Sequence, residues 1–463
     1  MEIQVNKRAI LLIAVLTSFI IPFMVSSINI ALPTIGREFK MDAILLNWVA
    51  TAYIISCAVF TVPFGRIADI YGRRKIFLMG LLFYAVFSFL CGTPKDPYFL
   101  IVFRILQGIG GAMIFATNIA ILTSVFPSRE RGKVLGINVA STYSGMSLGP
   151  FIGGYLTYCI GWRSIFFIGF ALTLLSAFLA FRKVKGEWAE AKNESFDKMG
   201  FLLYAFLIVS LMSGFSRVPD ISGFALLALG CGIFIFFVLW ESRVKYPLLD
   251  ISLFKSNRVF AFSSLAALIH YSATFAVTFL LSLYLQYIKG LNPRFAGSII
   301  IFQPLMMALF SPIAGRLSDR IEPRIIASFG MGITALGVFL LSFLKEGTAI
   351  NYIIVSLIVL GFGFAFFSSP NTSAIMGSVE RRFYGVASGM VATMRLLGQM
   401  FSMGIVMLIF SIYIGRVQIT PDKYLSFILS LKTSFLVFTV LCLAAISASL
   451  ARGNLRVDQR CDR

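Results

Sequence analysis

The stretch "GRIADIYGRRK", Gly65 to Lys75, decides how this chain is read. It sets one acid and four bases in eleven positions, between apolar runs of about 20 residues each. A near copy, "GRLSDRIEPR", returns at Gly315 to Arg324. A chain of 463 residues that is 58% hydrophobic and only 13% charged has written the same charged passage twice.

Composition supplies the setting. Mean hydropathy is +0.89, and phenylalanine alone contributes 48 residues. No soluble core of this length needs so much apolar surface, whereas a bilayer-spanning helix needs roughly 20 apolar residues. The chain therefore reads as a polytopic, all-α membrane protein. Its first apolar run, "AILLIAVLTSFIIPFMVSSINIAL", follows Lys7 and Arg8 and is longer than the roughly 7–15 residues of a signal-peptide core, so it is expected to stay as a first span. The six cysteines are scattered, with no CxxC pattern and no histidine cluster. No disulfide, metal or cofactor is expected from them.

Fourteen spans are expected, near 9–32, 45–65, 76–93, 98–125, 132–158, 163–182, 199–216, 221–241, 259–287, 295–315, 325–344, 350–376, 385–414 and 430–451. With the N-terminus inside, 27 of the 40 lysines and arginines fall in cytoplasmic segments and 10 outside, leaving Arg104, Arg395 and Lys432 in or at the edge of spans. Basic residues favour the cytoplasmic side, so both termini are expected there. The net charge of +20 then faces anionic lipid of the inner leaflet and implies no nucleic-acid partner.

The duplication becomes interpretable on this topology. Gly65 and Gly315 lie equally far beyond the starts of the first and ninth spans, so each half is six helices with the charged turn between its second and third. Spans seven and eight form an inserted pair, and an even insertion keeps both halves in one orientation. The expected organisation is an N-terminal six-helix bundle over 1–190, the inserted pair over 191–250, and a C-terminal bundle over 251–463. Parallel six-helix repeats are the build of a major-facilitator transporter. The turn residues Gly65, Asp69, Gly72 and Arg73, with Gly315, Asp319 and Arg320 in the copy, are read as a gate: glycine permits close approach, and the acid can pair with arginine and face a helix N-terminus. The positive-inside rule alone explains the arginines but not Gly65, Asp69 and Gly72.

"GRIADIYGRRK" resembles the loop signature of the major facilitator superfamily between its second and third helices. "RILQGIGGA", with Arg104, Gln107, Gly108, Gly110 and Gly111, is similar to the fourth-helix signature, and "GMSLGPFIGG", with Gly145, Gly149, Pro150, Gly153 and Gly154, to the fifth-helix signature of exporters. "INIALP", "LLSLYLQYIKGLNPRFAG" and "SSPNTSAIM…GVASGMVATMRLLGQ" resemble the fourteen-helix drug/proton antiporter branch. The resemblance covers nearly the whole chain. It implies a proton-coupled exporter of amphipathic small molecules or drugs, with alternating access and no enzymatic step. It also implies that Arg104 helps proton coupling and that the fifth helix favours antiport.

The residues themselves bear two readings at several of these places. Gly145, Gly149 and Gly153 recur every fourth position and share one face, which lets another helix pack backbone to backbone, and Pro150 permits a bend. That face can set transport direction or simply pack. Arg104 sits in mid-span, where an unpaired charge costs at least about 2.5–3.5 kcal/mol, so it needs a cavity or a partner. It serves coupling, or it ties span four to span one through backbone carbonyls and Asn29.

The acids depart from the resembled pattern. The branch usually carries an aspartate nine residues before the proline of "INIALP"; here that position is Met24, and no Asp or Glu lies deep in a span. His270, the single histidine, is then either a proton relay or a packing residue. A midplane substrate cavity between the halves would draw on Asn29, Gln107, Tyr271, Arg395 and Gln399. The expected partners are a small-molecule substrate, protons and membrane lipid, in a monomer at the cytoplasmic membrane. An exporter of an anionic or neutral metabolite is the alternative that Arg104 and Arg395 raise, and a non-transporting scaffold is disfavoured by the survival of both charged turns.

Overall fold

The computed structural model describes residues 7–189, 191, 194–249, 254, 257–318, 320–379, 384–415 and 417–453, with backbone alone for 128–133, 135–136, 384–386 and 388. The described residues are helical apart from short connections. Fourteen long helices follow in order: α1 Lys7–Phe39, α2 Ala43–Tyr71, α3 Arg73–Cys91, α4 Pro97–Val125, α5 Ser128–Cys159, α6 Arg163–Lys183, α7 Lys198–Arg217 and α8 Ile221–Glu241, then α9 Arg258–Ile288, α10 Pro293–Ser318, α11 Pro323–Leu341, α12 Ile350–Gly377, α13 Tyr384–Tyr413 and α14 Tyr424–Ala451. Thirteen are long and apolar enough to cross a membrane. The exception is α5, which at 32 residues has the length but spends many positions on glycine, serine and threonine.

Helix starts follow capping chemistry. Asp96, Asp197, Asn257 and Asn292 each accept a hydrogen bond from a first-turn N–H of α4, α7, α9 and α10, at 2.8–3.0 Å. Pro97 and Pro293 occupy the first helical turn, where the missing N–H would be unpaired anyway.

The chain divides into two compact units, residues up to 249 and residues from 250 on, with the short stretch 42–44 grouped with the second. In the first unit α1 packs on α5 and α6, α3 packs on α4 and α6, and α7 packs on α8. The second unit repeats this scheme with α9 on α13 and α14, and α11 on α12 and α14.

The repeat extends to single glycines. A side chain at Gly108 of α4 would strike the Tyr53 carbonyl oxygen of α2, and one at Gly361 of α12 would strike that of Gln303 on α10. Gly110 leaves room for the Tyr84 backbone of α3, as Gly363 does for Thr334 of α11. Gly145 of α5 meets the Phe19 carbonyl of α1, and Gly398 of α13 meets the Leu268 carbonyl of α9. Helices that approach this closely exclude any Cβ at the crossing. Asn118 of α4 donates to the Ala14 carbonyl at 3.3 Å, and Asn371 of α12 to the Ser263 carbonyl at 3.0 Å. Two six-helix bundles and an inserted pair make up the fold.

Candidate functional site

The α2–α3 turn is held from two directions. Within it, Arg73 Nε donates to Asp69 Oδ1 at 2.8 Å, and Arg73 Nη1 donates to Ser124 Oγ of α4 at 2.6 Å. Arg73 is 9% exposed, while the Asp69 side chain is 35% exposed, so the pair joins a buried guanidinium to a carboxylate that still meets water. Gly72 has φ +116°, a region that side chains rarely adopt, and a Cβ there would also collide with the Glu187 carboxyl group. Gly65 is different: a Cβ would lie 3.9 Å from that of Ala116, an ordinary contact, so its expected close approach is not required by packing.

The second grip comes from the segment that follows α6. Arg73 N donates to the Trp188 carbonyl at 2.9 Å, and Ala191 N donates to the Asp69 carbonyl at 3.0 Å. Arg74 gives its backbone N–H to Glu187 Oε1 at 2.8 Å and its Nε–H to the Val184 carbonyl at 2.6 Å. Arg66 forms an ion pair with Glu194, and its guanidinium lies 5.9 Å from the Tyr246 ring, in the segment after α8. The stretches that enter and leave the inserted pair thus both meet Arg66. Sequence reading missed Glu187, Trp188 and Glu194, because nothing local in a polar linker marks it as the partner of a turn more than a hundred residues earlier.

In the copy, Gly315 is tighter, 3.0 Å from Ser369 Oγ for an added Cβ. Arg320 is exposed, with its N–H on the Leu317 carbonyl at 3.0 Å. Asp319 lies outside the described residues.

Arg104 is 1% exposed and its partners lie inside the first unit. Its Nε donates to the Val49 carbonyl of α2 at 3.1 Å, its Nη1 donates to Gln107 Oε1 at 2.6 Å, and its guanidinium stands 4.4 Å from the Tyr53 ring centroid. Gln107 Nε2 in turn donates to Ser88 Oγ of α3 at 2.7 Å. Two expectations are corrected here. The arginine ties α4 to α2, not to α1 and Asn29, and Gln107, wholly buried and engaged at both ends of its amide, is not offered to a substrate. Among the described residues, cation–π contact and carbonyl bonding stabilise this charge without a carboxylate.

Along α5, a side chain at Gly149 would meet the Phe23 carbonyl at 2.9 Å and Ser26 closer still, while one at Gly153 would meet Ser27 at 2.5 Å. Ser27 Oγ of α1 donates to the Gly149 carbonyl at 2.9 Å. Pro150 sits inside the helix, and Gly154 is buried beside it. Met24 lies on the other side of α1, where it fills the space that a side chain at Gly169 of α6 would need. Asn29 is 4% exposed on α1.

In the second unit His270 is fully buried, and neither ring nitrogen has a hydrogen-bond partner among the described residues. Phe367, Phe364 and Tyr271 surround it, with ring centroids at 3.9, 4.8 and 6.0 Å. Tyr271 is half-buried, 3.5 Å from Ser368 Oγ through its hydroxyl, and the Arg395 guanidinium lies 5.9 Å from its ring. Gln399 follows Gly398 on the same helix and is half-buried.

Arg452 is a further buried charge that sequence reading did not single out. Its Nη1 donates to Asn371 Oδ1 at 2.9 Å and to Ser263 Oγ at 3.2 Å, while Nη2 has no partner among the described residues. Burial lowers its pKa to about 10, with nearby Glu322 opposing that shift.

These features are those of a membrane carrier built from a duplicated six-helix unit. The Major Facilitator Superfamily model matches residues 14–403 and 263–458, and the chain belongs to that family. It is 32% identical over 402 residues to the riboflavin transporter RibZ of Clostridioides difficile (strain 630), a match that covers 86% of this chain and 87% of that one. It is 30% identical over 380 residues to the multidrug resistance protein Stp of Mycobacterium tuberculosis (strain CDC 1551 / Oshkosh), over 80% and 70% of the two chains. The tetracenomycin C resistance and export protein of Streptomyces glaucescens is 27% identical over 86% of this chain and 74% of its own. Among solved structures, an inward-facing bacterial homologue of the human lysosomal transporter Spinster superposes with a TM-score of 0.71 at 15% identity, over 96% and 97% of the chains. The protein is a multi-pass integral membrane transporter and not an enzyme.

Proposed function

We propose that the chain exports amphipathic small molecules across the cytoplasmic membrane by proton antiport, as a monomer with both termini in the cytoplasm. The observation that carries this reading is the α1–α5 contact. Gly145, Gly149 and Gly153 lie directly against α1 in the order that the exporter signature displays, with Pro150 among them. Drug-resistance and export proteins among the relatives support the same direction. In this reading substrate meets the half-buried Tyr271, Arg395 and Gln399 of the second unit, and the turn of Asp69 and Arg73 gates the cytoplasmic side.

A second reading has its own support. Arg395 places a half-buried cation at span depth while no carboxylate is expected deep in any span, and one relative is a riboflavin transporter. Both facts favour an anionic or neutral metabolite over a lipophilic cation. The two readings separate in proteoliposomes with an imposed pH gradient and a panel of cationic, neutral and anionic aromatic probes. Gradient-driven movement of cationic probes supports drug efflux; movement of anionic or neutral probes alone supports the metabolite reading.

A further inference from the structure

Glu241 is the last residue of α8, and it is 3% exposed. One of its oxygens, Oε2, accepts the Leu249 N–H at 3.0 Å; the other, Oε1, has no hydrogen-bond partner among the described residues. Asp197, the N-cap of α7, is its neighbour. The point that a Cβ on Gly200 would occupy is crowded by Glu241 Oε1 on one side and Asp197 Oδ2 on the other. The two carboxyl oxygens therefore border a space the size of one methyl group.

Both oxygens of Asp197 already serve as acceptors, Oδ1 for the Gly200 N–H at 2.9 Å and Oδ2 for Trp240 Nε1 at 3.0 Å. The charge that acts on Glu241 through space is that of Asp197. Among the other described charged residues nearby, Glu194 pairs with Arg66, and Lys198, Arg243 and Lys245 are exposed; none of them pairs with either carboxyl among the described residues. Two like charges at such range, one of them buried, cannot both persist at low cost. Loss of one charge by proton uptake removes the repulsion and turns a second acceptor into a donor.

We propose that Glu241, with Asp197 and Gly200, forms a proton-binding site at the base of the inserted helix pair, in which the Glu241 carboxyl carries the proton. Asp197 sits at the α7 N-terminus and accepts from two N–H donors, whereas Glu241 Oε1 has none among the described residues, so the proton is placed on Glu241. A metal cation is a poor occupant, since three N–H groups already point at the two carboxyls that meet there among the described residues. The site has the chemistry that proton antiport needs and that Met24 leaves missing in α1. Its use in coupling rests on the antiport reading above; its existence does not.

The test is infrared difference spectroscopy on the purified full chain in lipid, comparing wild type with Glu241→Gln at neutral pH. Glutamine keeps the acceptor for Leu249 and offers an N–H to Asp197, so the variant should melt within a few degrees of wild type. A protonated-carboxyl C=O band present in wild type and absent from E241Q is the expected result. A wild-type spectrum without that band, or a band that survives in E241Q, overturns the site. Should E241Q fail to fold, wild type labelled with ¹³C-glutamate decides: a protonated-carboxyl band must shift on labelling. In proteoliposomes E241Q should lose pH-driven uptake of ethidium while keeping its passive exchange. Unchanged driven uptake, with the infrared band confirmed, would leave the proton site in place and remove it from the coupling route.

Discussion

The two halves agree in their backbones and differ in their charges. Gly108, Gly110 and Gly145 make the same helix crossings as Gly361, Gly363 and Gly398, and Asn118 and Asn371 make the same bond to the first helix of their half. The charged turns share a spelling but not a backbone anchor. Where the first has Gly72 and Arg73, the copy has Glu322 and Pro323. The Arg73 N–H is the donor that fastens the turn to Trp188, and proline has none to give. The asparagines also diverge. In the first half Ser18 and Asn138 complete the network, with Ser18 donating to Asn138 Oδ1 at 2.7 Å; in the second half Arg452 takes that role. Duplication preserved what close packing requires, and each half then acquired its own electrostatics.

The sharpest way to break this comparison is at a shared crossing. Gly149→Leu drives a side chain into Ser26 and the Phe23 carbonyl. It should abolish export and cost about 1–3 kcal/mol of overpacking. Efflux by a well-expressed variant, measured in everted vesicles, would refute the export role of α5. Gly65→Ala, which meets only ordinary contact, is the paired control and should fold and insert normally.

Next in size is the turn itself. Asp69→Asn removes the carboxylate that pairs with Arg73 and should leave membrane insertion intact. A charge-assisted bond is worth about 1.5–3 kcal/mol, so transport should fall about tenfold or more with little change in melting temperature. Wild-type rates from D69N would mean that the Asp69–Arg73 pair is structural decoration.

The asparagines sharpen the comparison further. Asn371→Ala strips a buried arginine of its closest acceptor and should cost about 1.5–3 kcal/mol, whereas Asn118→Ala loses neutral bonds worth about 1 kcal/mol. Equal losses in denaturant melts would show that Arg452 finds its stability elsewhere. The smallest effect belongs to His270→Gln. The ring sits among Phe364, Phe367 and Tyr271 without a proton partner among the described residues, so gradient-driven transport should be nearly unchanged. Its loss, with substrate binding retained, would make His270 the relay after all.

Much of this was legible because membrane helices leave strong marks. Apolar runs located the spans, the twice-written turn located the repeat, and four-residue glycine spacing located the face that α1 covers. α5 was recognisable by its neighbours and its glycines more than by its apolarity. Partners across long separations were not legible. Arg104 reads the same whether it binds α1 or α2; only packing selects the Val49 carbonyl. Glu187, Glu194 and Arg452 lie in segments whose periodicity is weak, and Glu241 resembles an ordinary helix-end acid until its burial and its neighbour Asp197 are seen.

The most direct measurement is substrate-induced proton movement. Wild type is reconstituted at high density in vesicles that enclose a pH-sensitive dye, no gradient is imposed, and the cationic, neutral and anionic probes are added in turn. Antiport predicts that a transported probe moves protons the opposite way, so its entry acidifies or alkalises the two compartments in opposite directions, and a protonophore abolishes the signal. Probe uptake with no proton movement, or with protons travelling alongside the probe, would contradict the account.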